Sequence, residues 1–469
     1  MEQNLIECTC LIVGGGIAGV SCLETLSFLA PTAKIVLLTE SPLIKAVTNI
    51  SQVSKTLQKF DITEKEATSL SADTVLVIHD RLIRLETKSF KATTAKGVII
   101  KYEHICLCTG ARPKLISTDN PHVIGIRDTD SVIEFQKRIK TGKVMAIVGN
   151  GGIASEIVYE VKGIKIHWIV KDEHISSTFV DPGAAKFFQE TLIESNATEK
   201  ETHVIKRMRY EQTNKNNAPT KGAALGPDWH RSLELTGNNL QEQNKVEIHY
   251  NCEVKDIQMN ESSSEFPVKL TLTNNEVVEC DLVVSATGVV PCIDYEIDVP
   301  LKFGPDGGIF VDDLMQTSAN NVYAAGDICY AGWKYAPQWF QMRLWTQARQ
   351  MGGMAAKTIA GKLNNEPVIA DFCFELFGHV TQLFGYQVIL LGNFNGQGLG
   401  DNYEILLRVT PKKEYIKFVL KEGKLQGALL IGDTDLAETC ENLILNQLDL
   451  TPYGDDILDP NIDIEDYFD

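Results

Sequence analysis

One pattern occurs twice in this chain and restricts its fold more than any other feature. "CLIVGGGIAGVSCLETLSFLA" begins at Cys10, and "KVMAIVGNGGIASEIVYEVKG" begins at Lys143. Each is an apolar run of buried-strand length, a glycine turn and a helical stretch, and each is followed by a second apolar strand, "AKIVLLTE" or "KIHWIVK". This is half of a dinucleotide-binding unit, and the two copies start about 135 residues apart. A chain built this way needs two parallel α/β units rather than one large sheet.

In the first copy, Gly14-x-Gly16-x-x-Gly19 encloses Ile17 and Ala18. The first glycine makes the strand-to-helix turn, the second lets a pyrophosphate approach the backbone, and the third permits close helix–strand packing. The helix start then attracts the phosphates. Glu40, 21 residues after Gly19, closes the next strand, where a carboxylate accepts both ribose hydroxyls. The second copy reads Gly149-x-Gly151-Gly152-Ile153-Ala154, with alanine in third place. Its strand ends in Lys171 and Asp172, so a 2′-phosphate would meet the lysine or a free ribose the aspartate, and the choice between NADPH and NADH stays open.

At 469 residues the chain is too long for one compact core at roughly 100–200 residues per domain. The expected layout is α/β: two Rossmann-like dinucleotide-binding domains plus a C-terminal α+β domain. The first nucleotide domain takes residues 1–124 and 293–365, and the second takes 125–292 with a polar, basic insertion at about 195–245. From 366 the texture changes to strand-like segments, "FELFGHVTQLF", "QVILLG", "EILLRVT" and "YIKFVL", then the helix "LAETCENLILNQL". The tail "GDDILDPNIDIEDYFD" is acidic, and its charge density and Pro460 predict an extended segment.

The net charge of −18 argues against non-specific nucleic-acid binding by the whole surface, and the run "KRMRYEQTNKNN" reads as a solvated loop. No stretch approaches the ~18–20 apolar residues of a membrane span, and a soluble intracellular protein is expected. Eleven cysteines are scattered without a C-x-x-C or zinc-like cluster, which predicts buried packing thiols.

Two further segments, "HICLCTGARP" and "SATGVVP", and then "YAAGDI", complete an ordered series. Asp327 precedes a helical stretch, where its carboxylate would bind a sugar-alcohol hydroxyl. In this order the segments resemble the two-dinucleotide-domain flavoproteins of the pyridine nucleotide-disulfide oxidoreductase superfamily. The resemblance implies a glutathione-reductase-like pair of FAD- and NAD(P)-binding domains, with FAD in the first unit, NADH or NADPH as reductant in the second, and Asp327 with Gly326 at the ribityl chain. It further implies Thr109, Gly110 and Arg112 in the FAD pocket, Leu82 offering backbone near the adenine, and Glu156 near the nicotinamide beside Gly288. A closer likeness to one branch, carried by "SPLIKAVTN", "GIRDTDS", "ALGPDWH" and "RLWTQARQMG", implies nuclear and cytoplasmic residence. It also implies association with the tRNA-splicing RNA ligase complex, shielded from oxidative inactivation.

The chain departs from the disulfide reductases where their chemistry is done. No Cys-x4-Cys follows Glu40, and no His-Pro-x-x-x-Glu pair appears near the C-terminus. Lys45 is the notable polar residue in the expected place, either a positive charge beside the flavin or a surface lysine. Cys329 and His379 are more readily packed residues than reactive ones. The leading expectation is an FAD-dependent NAD(P)H oxidoreductase with an external acceptor, with Lys45 and Glu156 as the side chains nearest the chemistry. The alternative is a redox-responsive, flavin-bearing binding protein with little turnover.

Overall fold

The computed structural model describes residues 5–194, 245–260, 265–400 and 402–459. The expected insertion at 195–245 and most of the acidic tail therefore lie outside the described residues. Within the tail's opening, Thr451–Leu458 forms 3-10 turns interrupted at Gly454, not the extended chain expected from charge alone. Ile457 and Leu458 are buried there against the C-terminal core, and that burial outweighs the local charge.

The first glycine pattern becomes strand Leu5–Val13 and helix Ile17–Leu29. Leu5–Val13 pairs in parallel with Ile35–Thr39 on one side and Ile99–Leu107 on the other. Val75–His79 extends the sheet beyond Ile35–Thr39, and Val322–Ala324 returns from late in the sequence to pair with Ile99–Leu107. The continuous apolar runs follow from burial on both faces: Leu11, Ile12, Leu37 and Ile105 are fully buried. Helix Trp345–Asn364 packs along Ile17–Leu29, and Gly352 allows this because an added Cβ would lie 2.2 Å from the Ala18 carbonyl oxygen.

The second unit repeats the plan with five parallel strands in the order Val123–Ile124, Leu282–Ser285, Val144–Val148, Lys165–Ile169 and Val246–His249. One face carries helices Thr129–Ile139 and Gly152–Glu160. The other is covered by a three-stranded antiparallel meander, Val254–Met259, Val268–Leu272 and Val277–Cys280. The chain leaves the first unit through Ala111–Pro113 and returns through Val289–Pro291, and these crossings pair antiparallel.

The C-terminal unit is a five-stranded antiparallel sheet in the order Gly378–Leu383, Tyr386–Gly392, Lys424–Ile431, Glu414–Lys421 and Glu404–Thr410, with helix Ala437–Asn446 packed on it. Lys424–Ile431 is an additional strand at its centre. Two buried ion contacts fasten this unit to the rest. Lys417 and Tyr415 hold Asp181, beside the start of helix Pro182–Glu194, and Glu441 accepts from Ser54 and from the Thr56 N–H.

Candidate active site

The two glycine turns divide their glycines by packing. An added Cβ at Gly14 would lie 2.2 Å from the Cys108 carbonyl oxygen, at Gly19 1.9 Å from the Gly14 carbonyl oxygen, and at Gly149 2.1 Å from the Ala286 carbonyl oxygen. These glycines let backbone meet backbone, and Gly14 (φ +118) and Gly149 (φ +135) also need a conformation that disfavours side chains. Gly16 and Gly151 differ, since no atom lies within 4 Å of their added Cβ. Each is the N-cap of its helix, and neither helix has a side-chain cap. The first N–H groups of both helices are therefore offered to an anion in open space, as a dinucleotide pyrophosphate requires.

Both open turns face one cavity of about 1020 Å³. Gly16, Ile17 and Ala18 line it from the first unit, with Gly110 and Asp327. Gly149, Gly151, Gly152, Ile153, Glu156, Lys171 and Gly288 line it from the second. Asp327 stands part-exposed on the cavity wall, and desolvation by the surrounding protein raises its carboxyl pKa despite the opposing charges of Arg343 and Arg127. Arg343 Nε donates to the Asp327 carbonyl at 2.8 Å and Arg343 Nη2 reaches Asp306 at 2.6 Å, which fixes the loop before helix Trp345–Asn364. A desolvated acid on the cavity wall fits the hydroxyls of a polyol chain.

Other expected residues stand outside the wall. Gly14, Gly19, Ala154 and Gly326 support it from behind as packing residues. Glu40 lies directly after strand Ile35–Thr39, exposed, with its carbonyl accepting from His79 at 2.9 Å. Leu82 is buried at the start of strand Leu82–Glu86. Thr109 Oγ1 donates to the Cys292 carbonyl at 2.6 Å. Arg112, expected in the FAD pocket, instead faces solvent and pairs with Asp294, which raises its pKa. The reason is the pairing of Ala111–Pro113 with Val289–Pro291, which turns this side chain outward. Arg127 and Arg343 line the cavity instead, and Arg127 Nη1 lies 3.4 Å from Cys292 Sγ.

Lys45 is not a surface lysine. On strand Leu43–Gln52, its side chain is 1% exposed and its Nζ lies 2.7 Å from Glu64 Oε1, on the antiparallel partner strand Gln58–Glu66. Burial lowers its pKa, and the Glu64 charge only partly offsets this. Its backbone N–H donates to the Gly15 carbonyl at 3.1 Å, so the strand is tied to the back of the first glycine turn. Thr129, on the second unit's first helix, donates to Glu64 in turn.

Strand register gives Lys171 a meaning that spacing does not. Val13 is level with Leu38 in the first unit, and Val148 with Ile169 in the second. Two residues further on stand Glu40 and Lys171. Asp172 is engaged by Asn150 Nδ2 at 2.8 Å and Ser177 Oγ at 2.6 Å. Burial works against its charge, but these bonds prevail and lower its pKa.

All eleven cysteines are free thiols. Cys108 and Cys252 line the cavity, but Cys108 Sγ lies against Cys106 Sγ at 3.5 Å and Cys252 Sγ donates to the Tyr250 carbonyl. Cys329 is fully buried, and burial raises its thiol pKa. His379 is also fully buried, between Phe179 and Trp345, and burial pushes its pKa down to about 3. Neither Cys329 nor His379 lines the cavity, whereas Phe179 and Trp345 do. No local sequence signal marks those two aromatic rings, because they arrive from separate domains.

Two open helix starts on one cavity, with a desolvated acid at its wall, define an NAD(P)H-dependent flavoprotein reductase that uses FAD. The chain belongs to the pyridine nucleotide-disulphide oxidoreductase family, whose pattern matches residues 8–224 and 231–352. Residues 381–448 match the rubredoxin NAD+ reductase C-terminal domain. It is 54% identical to pyridine nucleotide-disulfide oxidoreductase domain-containing protein 1 of Drosophila melanogaster, over 99% of both chains. The human protein of the same name is 46% identical over 98% of this chain and 97% of its own. Among solved structures, a ferredoxin reductase from Rhodopseudomonas palustris superposes with a TM-score of 0.69 at 17% identity, covering 98% of this chain and 99% of that one. No helix among the described residues is long and apolar enough to cross a membrane.

Proposed function

We propose that this protein oxidises NAD(P)H through FAD and delivers the electrons to an acceptor from outside the chain: oxygen, a quinone or another protein. The observation that carries this is that both open glycine turns share one cavity, whose lining thiols among the described residues, Cys108 and Cys252, are engaged elsewhere. The chemistry that FAD supplies when bound is two-electron transfer from nicotinamide to an acceptor. The chain's own residues hold and orient. The starts of helices Ile17–Leu29 and Gly152–Glu160 would seat the two pyrophosphates, Asp327 would hold the polyol chain, and Trp345 and Phe179 give the cavity an apolar wall that would limit water. Lys45 adds a fixed, dry positive charge behind the first turn, and Glu156 bounds the nicotinamide side.

Lys171 in the place of Glu40 favours a 2′-phosphate over free ribose hydroxyls, so NADPH is the preferred reductant. Lys171→Glu restores the acid of the first unit and is expected to lower the NADPH-to-NADH ratio of kcat/KM by about tenfold or more, the ~1.4 kcal/mol of one exposed phosphate contact. An unchanged ratio removes Lys171 from the specificity. The resemblance further points to work in nucleus and cytoplasm, keeping the tRNA-splicing RNA ligase complex from oxidative inactivation.

The test of the core reading is anaerobic reduction with NADPH, followed by a panel of acceptors. Rapid return of flavin colour with catalytic NADPH consumption supports the oxidoreductase. Bleaching that persists in air, with a tighter partner complex, supports a redox-responsive binding protein instead.

A further inference from the structure

The outer edge of the second sheet holds a cluster that the reaction above does not use. His167 and His249 lie on the neighbouring parallel strands Lys165–Ile169 and Val246–His249, with His167 level with Glu247 and Ile169 level with His249. Side chains two apart on a strand share a face, so His167, Glu247 and His249 emerge on one side of the sheet. That side is the one covered by the meander, since Ile169 packs into its core.

The three side chains converge. His167 Nδ1 lies 2.9 Å from His249 Nε2, with the rings stacked at 5.2 Å and 27°. Glu247 Oε2 lies 3.8 Å from His167 Nδ1. One ligand atom from each of the three lies within 4.8 Å of the others. The His167 and His249 side chains are only 10% and 9% exposed, while Glu247 opens the cluster to solvent. Zinc–nitrogen bonds of ~2.0–2.1 Å in a tetrahedron put donor atoms roughly 3.3 Å apart, and the observed 2.9 and 3.8 Å bracket that spacing.

A fourth residue makes this more than a chance meeting of histidines. Glu276, on the turn between Val268–Leu272 and Val277–Cys280, accepts from His249 Nδ1 at 2.7 Å. That bond leaves the Nε2 lone pair of His249 directed into the cluster, the arrangement in which a carboxylate orients a metal-binding imidazole. Without a cation, the pair is bridged by one proton, with His167 Nδ1–H donating to His249 Nε2. On cation binding that proton moves to His167 Nε2, and the ring stays neutral. Lys165, 3.0 Å from Glu247 Oε2, must swing away, which its partly exposed side chain permits.

We propose that His167, Glu247 and His249 bind a divalent cation of the zinc class, with Glu276 orienting His249 and a fourth position open to water. Two imidazoles and one carboxylate suit zinc, whereas magnesium and calcium call for a shell of oxygens. The cation would fasten the edge strand Val246–His249 to Lys165–Ile169, the strand that runs on into Lys171 at the cavity.

The test uses the full flavin-loaded chain, stripped with a chelator, desalted and titrated with Zn²⁺ by calorimetry. One equivalent should bind in the micromolar range or tighter. Glu276→Gln should weaken it about 10- to 100-fold. His249→Gln and Glu247→Gln should weaken it at least as much. Because Glu247 is on the exposed edge, its variant retains the fold even if a histidine variant does not, and undiminished flavin absorbance verifies this. Zinc-edge X-ray absorption should show nitrogen and oxygen at ~2.0 Å. Absent binding, binding unchanged in these variants, or a sulfur shell at ~2.3 Å that assigns the metal to cysteines, overturns the proposal.

Discussion

Gly151→Ala separates the second nucleotide site from the fold that builds it. Gly151 has φ −95 and ψ −172, an extended conformation open to alanine, and its added Cβ meets no atom within 4 Å. The folded chain should therefore tolerate the methyl, with stability unchanged or raised by about 0.4–1 kcal/mol through the unfolded state. The methyl projects into the space assigned to the pyrophosphate of NAD(P)H. Filling an occupied space costs about 1–3 kcal/mol, roughly a 5- to 150-fold loss of affinity at 1.4 kcal/mol per tenfold. The assay is titration with NADP⁺, read from the perturbation of bound flavin absorbance, beside a thermal melt. Gly149→Ala is the contrast: with φ +135 and only 2.1 Å to the Ala286 oxygen, it should damage folding and binding together. If Gly151→Ala binds within twofold of wild type, or loses flavin in proportion to nucleotide, the second turn does not hold the reductant.

Three other outcomes are expected. Lys45→Met leaves Glu64 buried without its cation and should destabilise by about 3–5 kcal/mol in chemical denaturation; adding Glu64→Leu should recover much of that, and no recovery would mean that Lys45 acts through other contacts. Asp327→Ala should lower flavin occupancy of the purified protein, measured as the ratio of visible to ultraviolet absorbance, and full occupancy would remove Asp327 from the polyol site. Burial opposes ionisation of Asp181, but Lys417 and hydrogen bonds outweigh it and hold the carboxyl below its ordinary 3.8. A carboxyl with a depressed folded pKa contributes stability that is full above its unfolded value and lost as pH falls through the folded one. Melting temperature should thus fall below pH about 4, less steeply in a Lys417→Met variant; parallel slopes would refute the linkage.

The sequence made the α/β class legible because a glycine turn between strand and helix leaves few alternatives, and it did so twice. Gly14, Gly16, Gly149 and Gly151 were readable for the same reason, since what each does is set by its own backbone. Arg112 and Arg127 show where reading along the chain stops. That Arg112 turns away from the cavity is decided by the pairing of Ala111–Pro113 with Val289–Pro291, segments far apart in sequence. Lys45 was conspicuous by position, but its burial depends on Glu64 and on Thr129 from the other unit. Strand Lys424–Ile431 went unmarked because it is flanked on both sides within its sheet and shows no polar alternation. The likeness of Lys171 to Glu40 emerges from strand register, which spacing alone does not supply.

The most direct measurement is an anaerobic titration of the purified flavoprotein with dithionite, counting electrons per FAD. With every cysteine a free thiol and none serving as a relay, full reduction should take two electrons per flavin. A four-electron endpoint, with thiols appearing as the second pair enters, would reveal a redox disulfide and contradict the external-acceptor mechanism.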